Sequence, residues 1–197
     1  MRLIVVAGLL GVGKTSVIVR LIEPLSESGR KFAIIENEFG STGIDGDVIE
    51  RGGVEVRDLR GGCVCCTLKT GLIDTLRTLQ IGMGPDVAVV EPSGIADPSL
   101  IVRAVDGVTG LAIDDVTVVA IVDAERFGTM KRMFERPLRN QLSVAGHVLL
   151  NKVDAVDADG LAGIEEAIRG FGYAGPIYRA RADTGEGLDA LFRGLGL

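Results

Sequence analysis

The feature that most limits what this chain can fold into lies at its start. The β-branched apolar run LIVVAGL (3–9) breaks into GLLGVGKTS (8–16), which leads directly into the helically spaced KTSVIVRLIEPLSESG (14–29). A strand that enters a helix through a glycine-rich turn normally returns to a parallel neighbour by a right-handed crossover. The turn carries Gly8, four residues, then Gly13, Lys14 and Thr15, which is the spacing of a phosphate-binding loop. In such a loop the backbone N–H groups turn inward around the phosphates. The lysine reaches the β- and γ-phosphates as a point charge, and the hydroxyl ligates Mg²⁺. Gly8, Gly11, Val12, Gly13, Lys14, Thr15 and Ser16 are therefore candidate nucleotide contacts, with Lys14 and Thr15 also assigned to catalysis and Thr15 to Mg²⁺. Without a ligand, the same residues would make an ordinary glycine-rich strand-to-helix turn.

The rest of the chain repeats the alternation. KFAIIENE (31–38), DVAVVEP (86–92), DVTVVAIVDA (115–124), HVLLNKVD (147–154) and PIYRA (176–180) read as strands, nearly continuously apolar and so covered on both faces. Between them, 71–82, 97–105, 128–145, 159–172 and 185–196 have helical spacing, with Asp, Ser or Gly near their starts. The irregular stretch 41–60 ends in VEVRDL (54–59), a candidate extra strand. The expected fold is α/β: a P-loop NTPase with a doubly wound, mostly parallel sheet flanked by helices on both faces, in a single domain spanning 1–197.

Two further segments address a nucleotide. NKVD, Asn151 to Asp154 with Lys152 between them, ends the fifth of these strands. A carboxylate at Asp154 accepts from the ring N–H and exocyclic amine of guanine together. Beside adenine it would be stranded, and sites that strand a buried polar group discriminate by about 10⁴ or more. RARADTGEGLDAL (179–191) has the look of a last guanine-contacting loop, with the Ala182 N–H as candidate donor to the guanine carbonyl. Arg181-Ala182-Asp183 stands where GTPases often have Ser-Ala-Lys. In VVEPSGIADP (89–98), Glu91 ends a strand at the position of a Mg²⁺-holding acid, and Gly94 can sense a γ-phosphate through its N–H. The same segment also reads as a helix start capped by Ser93 or Asp97.

Cys63, Cys65 and Cys66 in GGCVCCT (61–67) are the only cysteines. An odd, clustered set suits a reduced compartment with a metal or thiol role better than a disulfide framework. On an extended backbone Cys63 and Cys65 share a face, roughly 6.6 Å apart, and Gly61 and Gly62 permit the turn that brings Cys66 to the same side. Three thiolates would hold a borderline or soft cation such as Zn²⁺ or Co²⁺ with one position left for a carboxylate or exchange. A redox or merely buried cluster is the alternative.

Composition removes other classes. With 47% hydrophobic residues and no Trp, the core is aliphatic. A net charge of −6 repels phosphate backbones, which excludes nucleic acid as the expected partner. MRLIVVAGLL imitates a signal peptide but stops at GVGKTS without a cleavage site, and no run reaches the roughly 18 apolar residues of a membrane span. The expectation is a cytoplasmic protein without a membrane partner.

GLLGVGKTS, NEFGSTGIDG, GGCVCCT, EPSGIADP, VVAIVDAERF and LLNKVD, in this order, closely resemble the CobW-type metallochaperone GTPases, relatives of UreG and HypB. The resemblance spans nearly the whole chain. It implies a Mg²⁺-dependent GTPase that holds a transition metal near its switch regions and delivers it, under control of GTP and GDP, to a client metalloprotein or cofactor-assembly enzyme. It also implies Glu38, in Asn-Glu-Phe-Gly, as the fourth metal ligand beside the cysteines, and a homodimer across the nucleotide face. Family members usually continue into a second, C-terminal domain and many carry His-rich stretches. This sequence ends after the GTPase fold and has a single histidine, His147, read as a strand-edge residue. Pro92 stands where Thr or Ser is commoner.

On this reading GTP and Mg²⁺ order residues 36–50 and draw Glu38 toward the cysteine loop, and hydrolysis reverses it. Glu38, Asp45, Asp47 and Glu91 are all candidates to activate water. Turnover is expected to be slow, since no arginine finger in cis is visible. A nucleotide-indifferent metal buffer, a thiol redox sensor and a P-loop kinase are the rival readings.

Overall fold

A computed structural model describes residues 1–36, 55–58 and 67–197, with backbone alone for 55–58 and 67–70. Seven described strands form one sheet: β1 (Arg2–Gly8), β2 (Phe32–Glu36), β3 (Glu55–Asp58), β4 (Val87–Glu91), β5 (Asp115–Asp123), β6 (His147–Asn151) and β7 (Ile177–Ala180). Their order across the sheet is β3-β2-β4-β1-β5-β6-β7. Every pairing between them is parallel, where a mostly parallel sheet was expected. VEVRDL does supply an edge strand, so the Asn-Lys-Val-Asp segment follows the sixth strand rather than the fifth.

The described helices are α1 (Lys14–Glu27), α2 (Thr67–Gly82), α3 (Pro98–Val105), α4 (Phe127–Met133), α5 (Glu135–Ser143), α6 (Ala158–Gly170) and α7 (Leu188–Gly194). Alternation of side chains along β1 sorts them into layers. Ile4 and Val6 pack with Val17, Ile18 and Leu21 of α1 and with Leu188 and Leu191 of α7. Leu3 and Val5 point to the other face, against Leu72, Leu76 and Leu79 of α2 and Ile101 of α3. On that second face, farther along the sheet, Val122 and Leu150 meet Phe127, Leu142, Leu161 and Ile168 from α4, α5 and α6. Leu3, Ile4 and Val5 have no exposed surface, as expected for a strand covered on both sides. Each such side chain contributes about 1.5–3 kcal/mol by its burial.

Residues 128–145, read as one helix, are two. The break is at Phe134 (φ −130°, ψ 35°), which separates α4 from α5. Pro137 explains it. In a continuous helix its ring would clash with the carbonyl of Met133, whereas in the first turn of a new helix its missing N–H is not needed. The strand expected over 147–154 likewise stops at Asn151, and Val153–Ala155 form a 3₁₀ turn.

Candidate functional site

Strand β1 lies between β4 and β5, where the direction of winding reverses, and in sheets of this kind ligands bind at the carboxyl ends of the strands beside such a switch point. The carboxyl edge here carries the loop after Gly8, Glu36 of β2, Glu91 of β4, Asp123 of β5 and Asn151 of β6. All four of these polar side chains are buried. Above the edge is a cavity of about 690 Å³, within the range of small-molecule sites.

One end of the cavity is the expected phosphate loop. Gly11, Gly13, Lys14, Thr15 and Ser16 line it, while Gly8 and Val12 stand behind as packing residues. Gly13 has φ 100°, and a Cβ there would collide with Asn151 Nδ2, so this position needs glycine on both counts. Lys14 is buried, with Nζ 3.6 Å from Glu91 Oε1 and 3.5 Å from the Leu9 carbonyl oxygen. The Thr15 hydroxyl donates to Glu91, 3.2 Å from Oε2 and 3.4 Å from Oε1. A hydroxyl and a carboxylate converging on one spot are hard oxygen donors, and that chemistry fits Mg²⁺. Gly94 sits against the loop: a Cβ on it would lie 2.7 Å from the Leu10 nitrogen. Its carbonyl accepts from Gln141 Nε2 (3.1 Å), which ties α5 to the segment. The helix-start reading of this segment also holds in part. Asp97 caps α3 through the Ser99 N–H (2.9 Å), whereas Ser93 Oγ is buried without a hydrogen-bond partner among the described residues.

The other end holds the expected base-reading residues Asn151, Lys152 and Asp154. Asn151 faces inward as a brace: Nδ2 donates to the Val12 carbonyl (2.8 Å), and Oδ1 accepts from the Ala182 N–H (2.9 Å). The N–H expected to meet a guanine carbonyl is thus engaged by Asn151, and Asp183, not Ala182, lines the cavity. Asp154 is half-exposed and lies 3.4 Å from Arg181 Nε, whose guanidinium also faces Asp183 and Glu186 at 3.6 and 3.9 Å.

Between the two ends lies an arrangement that the sequence reading did not single out. Asp123 has no exposed surface. It accepts from the Arg126 backbone N–H (3.0 Å), from Arg126 Nε (2.8 Å) and from Lys152 Nζ (2.8 Å). Burial raises its pKa, but the Lys152 and Arg126 hydrogen bonds outweigh that and hold the carboxyl below its ordinary value. Lys152 is the one non-glycine residue with positive φ (59°) among those described, a backbone strain held by its bond to Asp123. The available signal was VVAIVDAERF itself, where an apolar strand breaks into Asp-Ala-Glu-Arg at its carboxyl end. Glu36, whose Cα pairs in register with that of Glu91, is a further buried carboxylate at this edge.

The residues expected to hold a transition metal, Cys63, Cys65, Cys66 and Glu38, lie outside the described residues, as do Asp45 and Asp47. Among the described residues no group of three or more His, Cys, Asp or Glu is placed to hold a metal ion. His147 begins β6 as expected, with Nδ1 3.1 Å from the Tyr178 hydroxyl and its ring stacked on that tyrosine. No helix among the described residues is long and apolar enough to cross a membrane.

Comparison with known proteins follows the same lines. Residues 2–178 match the family described as CobW/HypB/UreG, nucleotide-binding domain. The chain is 32% identical over 223 residues to the zinc chaperone CobW of a Sinorhizobium species, covering 98% of this chain and 62% of that protein. Among solved structures, Zn(II)-bound YjiA GTPase from Escherichia coli superposes with a TM-score of 0.61 at 27% identity, over 85% of this chain and 54% of the other. The hydrogenase maturation factor HypB of Archaeoglobus fulgidus gives 0.67 at 16% identity, over 100% and 89%, a likeness of fold. The chain therefore spans less than two thirds of the length of the zinc chaperone CobW that it matches.

Proposed function

The chain belongs to the CobW/HypB/UreG family of nucleotide-binding domains, and on that premise we propose that it is a Mg²⁺-dependent GTP-binding and GTP-hydrolysing metallochaperone. Residues 1–197 act on this reading as one domain. The observation that carries it is that one cavity is lined by Lys14, Thr15 and Glu91 and also by Asn151, Lys152 and Asp154. A triphosphate suits the cationic, N–H-rich end, and a base with paired donors suits the carboxylate of Asp154. Mg²⁺ held by Thr15 and Glu91 would neutralise phosphate charge when bound. The chain's own residues supply the rest. Lys14 is already buried at the mouth of the loop beside Glu91, where its charge can meet a phosphate.

The cargo is a transition metal, held by Cys63, Cys65 and Cys66 with Glu38. The name of the zinc chaperone CobW favours Zn²⁺, and the sulfur-rich donor set also accepts Co²⁺. Asp58 supports a link between cargo and nucleotide, because it ends β3 in register with Glu36 at the same carboxyl edge, and the cysteines follow it in the chain. A client metalloprotein or cofactor-assembly enzyme receives the ion, and the nucleotide face serves as a homodimer surface.

The test combines nucleotide selectivity with metal affinity. Hydrolysis of GTP and ATP with Mg²⁺ is compared in wild type and Asp154→Ala, and Zn²⁺ is titrated with GDP and with a non-hydrolysable GTP analogue. Wild type should prefer GTP, and Asp154→Ala should lose that preference. Zn²⁺ affinity should differ between the two nucleotides and disappear when Cys63, Cys65 and Cys66 are changed to serine. Equal use of ATP, or a Zn²⁺ affinity indifferent to nucleotide, refutes the reading, since coupling must be reciprocal.

A further inference from the structure

We infer that Arg126 is a positioning residue of the phosphate loop: pinned by Asp123, its guanidinium holds the Leu10 and Gly11 carbonyls so that the loop's N–H groups are set to receive a β-phosphate. The inference rests on the nucleotide reading of the cavity and adds to it Arg126, to which the sequence reading gave no role. Arg126 Nη2 donates to the Gly11 carbonyl oxygen at 2.7 Å and approaches that of Leu10 at 3.4 Å. The other side of the same guanidinium meets Asp123 Oδ2, with both Nε and Nη2 at 2.8 Å. Nε and Nη2 thus hold a carboxylate that is fully buried, while Nη2 also reaches the loop.

The chemistry follows from the peptide group. The Gly11 carbonyl and the Val12 N–H belong to one amide, as do the Leu10 carbonyl and the Gly11 N–H. A cation bonded to the oxygen polarises the amide and makes the N–H on its far side a stronger donor. It also removes conformational freedom that the loop would otherwise lose on binding. Gly11 has φ 71°, and a Cβ on it would lie 3.1 Å from Arg126 Nη2, so the arginine packs directly against this residue of the loop. Nη2 is shared between Asp123 and the loop carbonyl oxygens, so Arg126 acts through the loop. Asp123 makes the arrangement longer still. It also holds Lys152, so the two ends of the cavity share one anchor.

The experiment separates a phosphate-loop role from general support. GDP and GMP affinities are measured by competition against a fluorescent GDP for wild type, Arg126→Ala and Arg126→Lys. A loop positioned for the β-phosphate predicts that Arg126→Ala loses GDP affinity about tenfold, the scale of one charge-assisted hydrogen bond, while GMP changes less than about twofold. Arg126→Lys keeps the charge but not the fork and should retain most of the GDP loss. Equal losses for GDP and GMP, no loss for GDP, or full recovery by lysine each overturn the inference. Wild-type protein that binds no GDP overturns the nucleotide reading along with it.

Discussion

Asn151 Nδ2 donates to the Val12 carbonyl oxygen at 2.8 Å, so the end of β6 holds the middle of the phosphate loop from below. The same side chain accepts from the Ala182 N–H. One buried amide thus joins the loop after β1, the strand β6 and the loop after β7. Replacing it with alanine strands an acceptor on Val12 and a donor on Ala182, both on residues with almost no exposed surface. Asn151→Ala is expected to cost about 2–4 kcal/mol of stability without nucleotide, read from urea unfolding at matched m-values. A loss below about 0.5 kcal/mol would mean that water replaces the amide and that the brace is unimportant.

Lys14 and Glu91 form a buried pair, 3.6 Å apart. Glu91→Gln leaves the ammonium with less compensation and should destabilise the nucleotide-free protein by about 3 kcal/mol. Lys14→Met combined with Glu91→Gln should recover at least half of that loss, because neither charge then remains stranded. A double-mutant cycle in thermal unfolding checks it. Additive losses would show that the two residues do not compensate one another.

Arg181 lies against Asp154 with its Nε 3.4 Å from the carboxylate, on the side chain expected to read the base. A guanidinium offers the same kind of donor edge as guanine, so the two compete for one acceptor. The contact is half-exposed and screened, which limits its weight to about 1 kcal/mol. Arg181→Ser should therefore tighten GDP binding by up to about fivefold, measured by titration at low and high salt. Weaker binding would show instead that the arginine holds Asp154 in its working position.

His147 titrates below its ordinary value of 6.5, first because burial penalises the imidazolium and then because Arg2 is near. With the folded pKa depressed, the unfolded chain takes up a proton that the folded chain refuses as pH falls below about 6.5. Stability should accordingly decline between pH 7 and pH 5 and recover as pH rises. His147→Asn should flatten that part of the pH profile in urea unfolding. An unchanged slope in the variant would move the pH dependence to other groups.

Much of this molecule was readable in one dimension. The alternation of strands and helices, the glycine-rich turn after β1 and the polar end of β6 all depend on local composition and spacing. The break at Phe134 was also local, since Pro137 was in view, but helical spacing on both sides of it masked the interruption. Arg126 was illegible for a different reason. An arginine three residues beyond the end of a strand carries no mark of its target, which is a carbonyl more than a hundred positions away. The Ala182 N–H shows the converse case. Its loop lies beside the Asn-Lys-Val-Asp segment, and its partner is the Asn151 side chain.

What the amino-acid order determined alone is the set of elements and the chemistry offered at their ends, because hydrophobic period, glycine and proline act within a few residues of themselves. What only the folded sheet decided is which of those ends meet. Parallel winding on both sides of β1 sets Glu91 beside Lys14, and Lys152 beside Asp123, from segments far apart in the chain. Distances between such groups follow from strand order and register, which are properties of the packed whole.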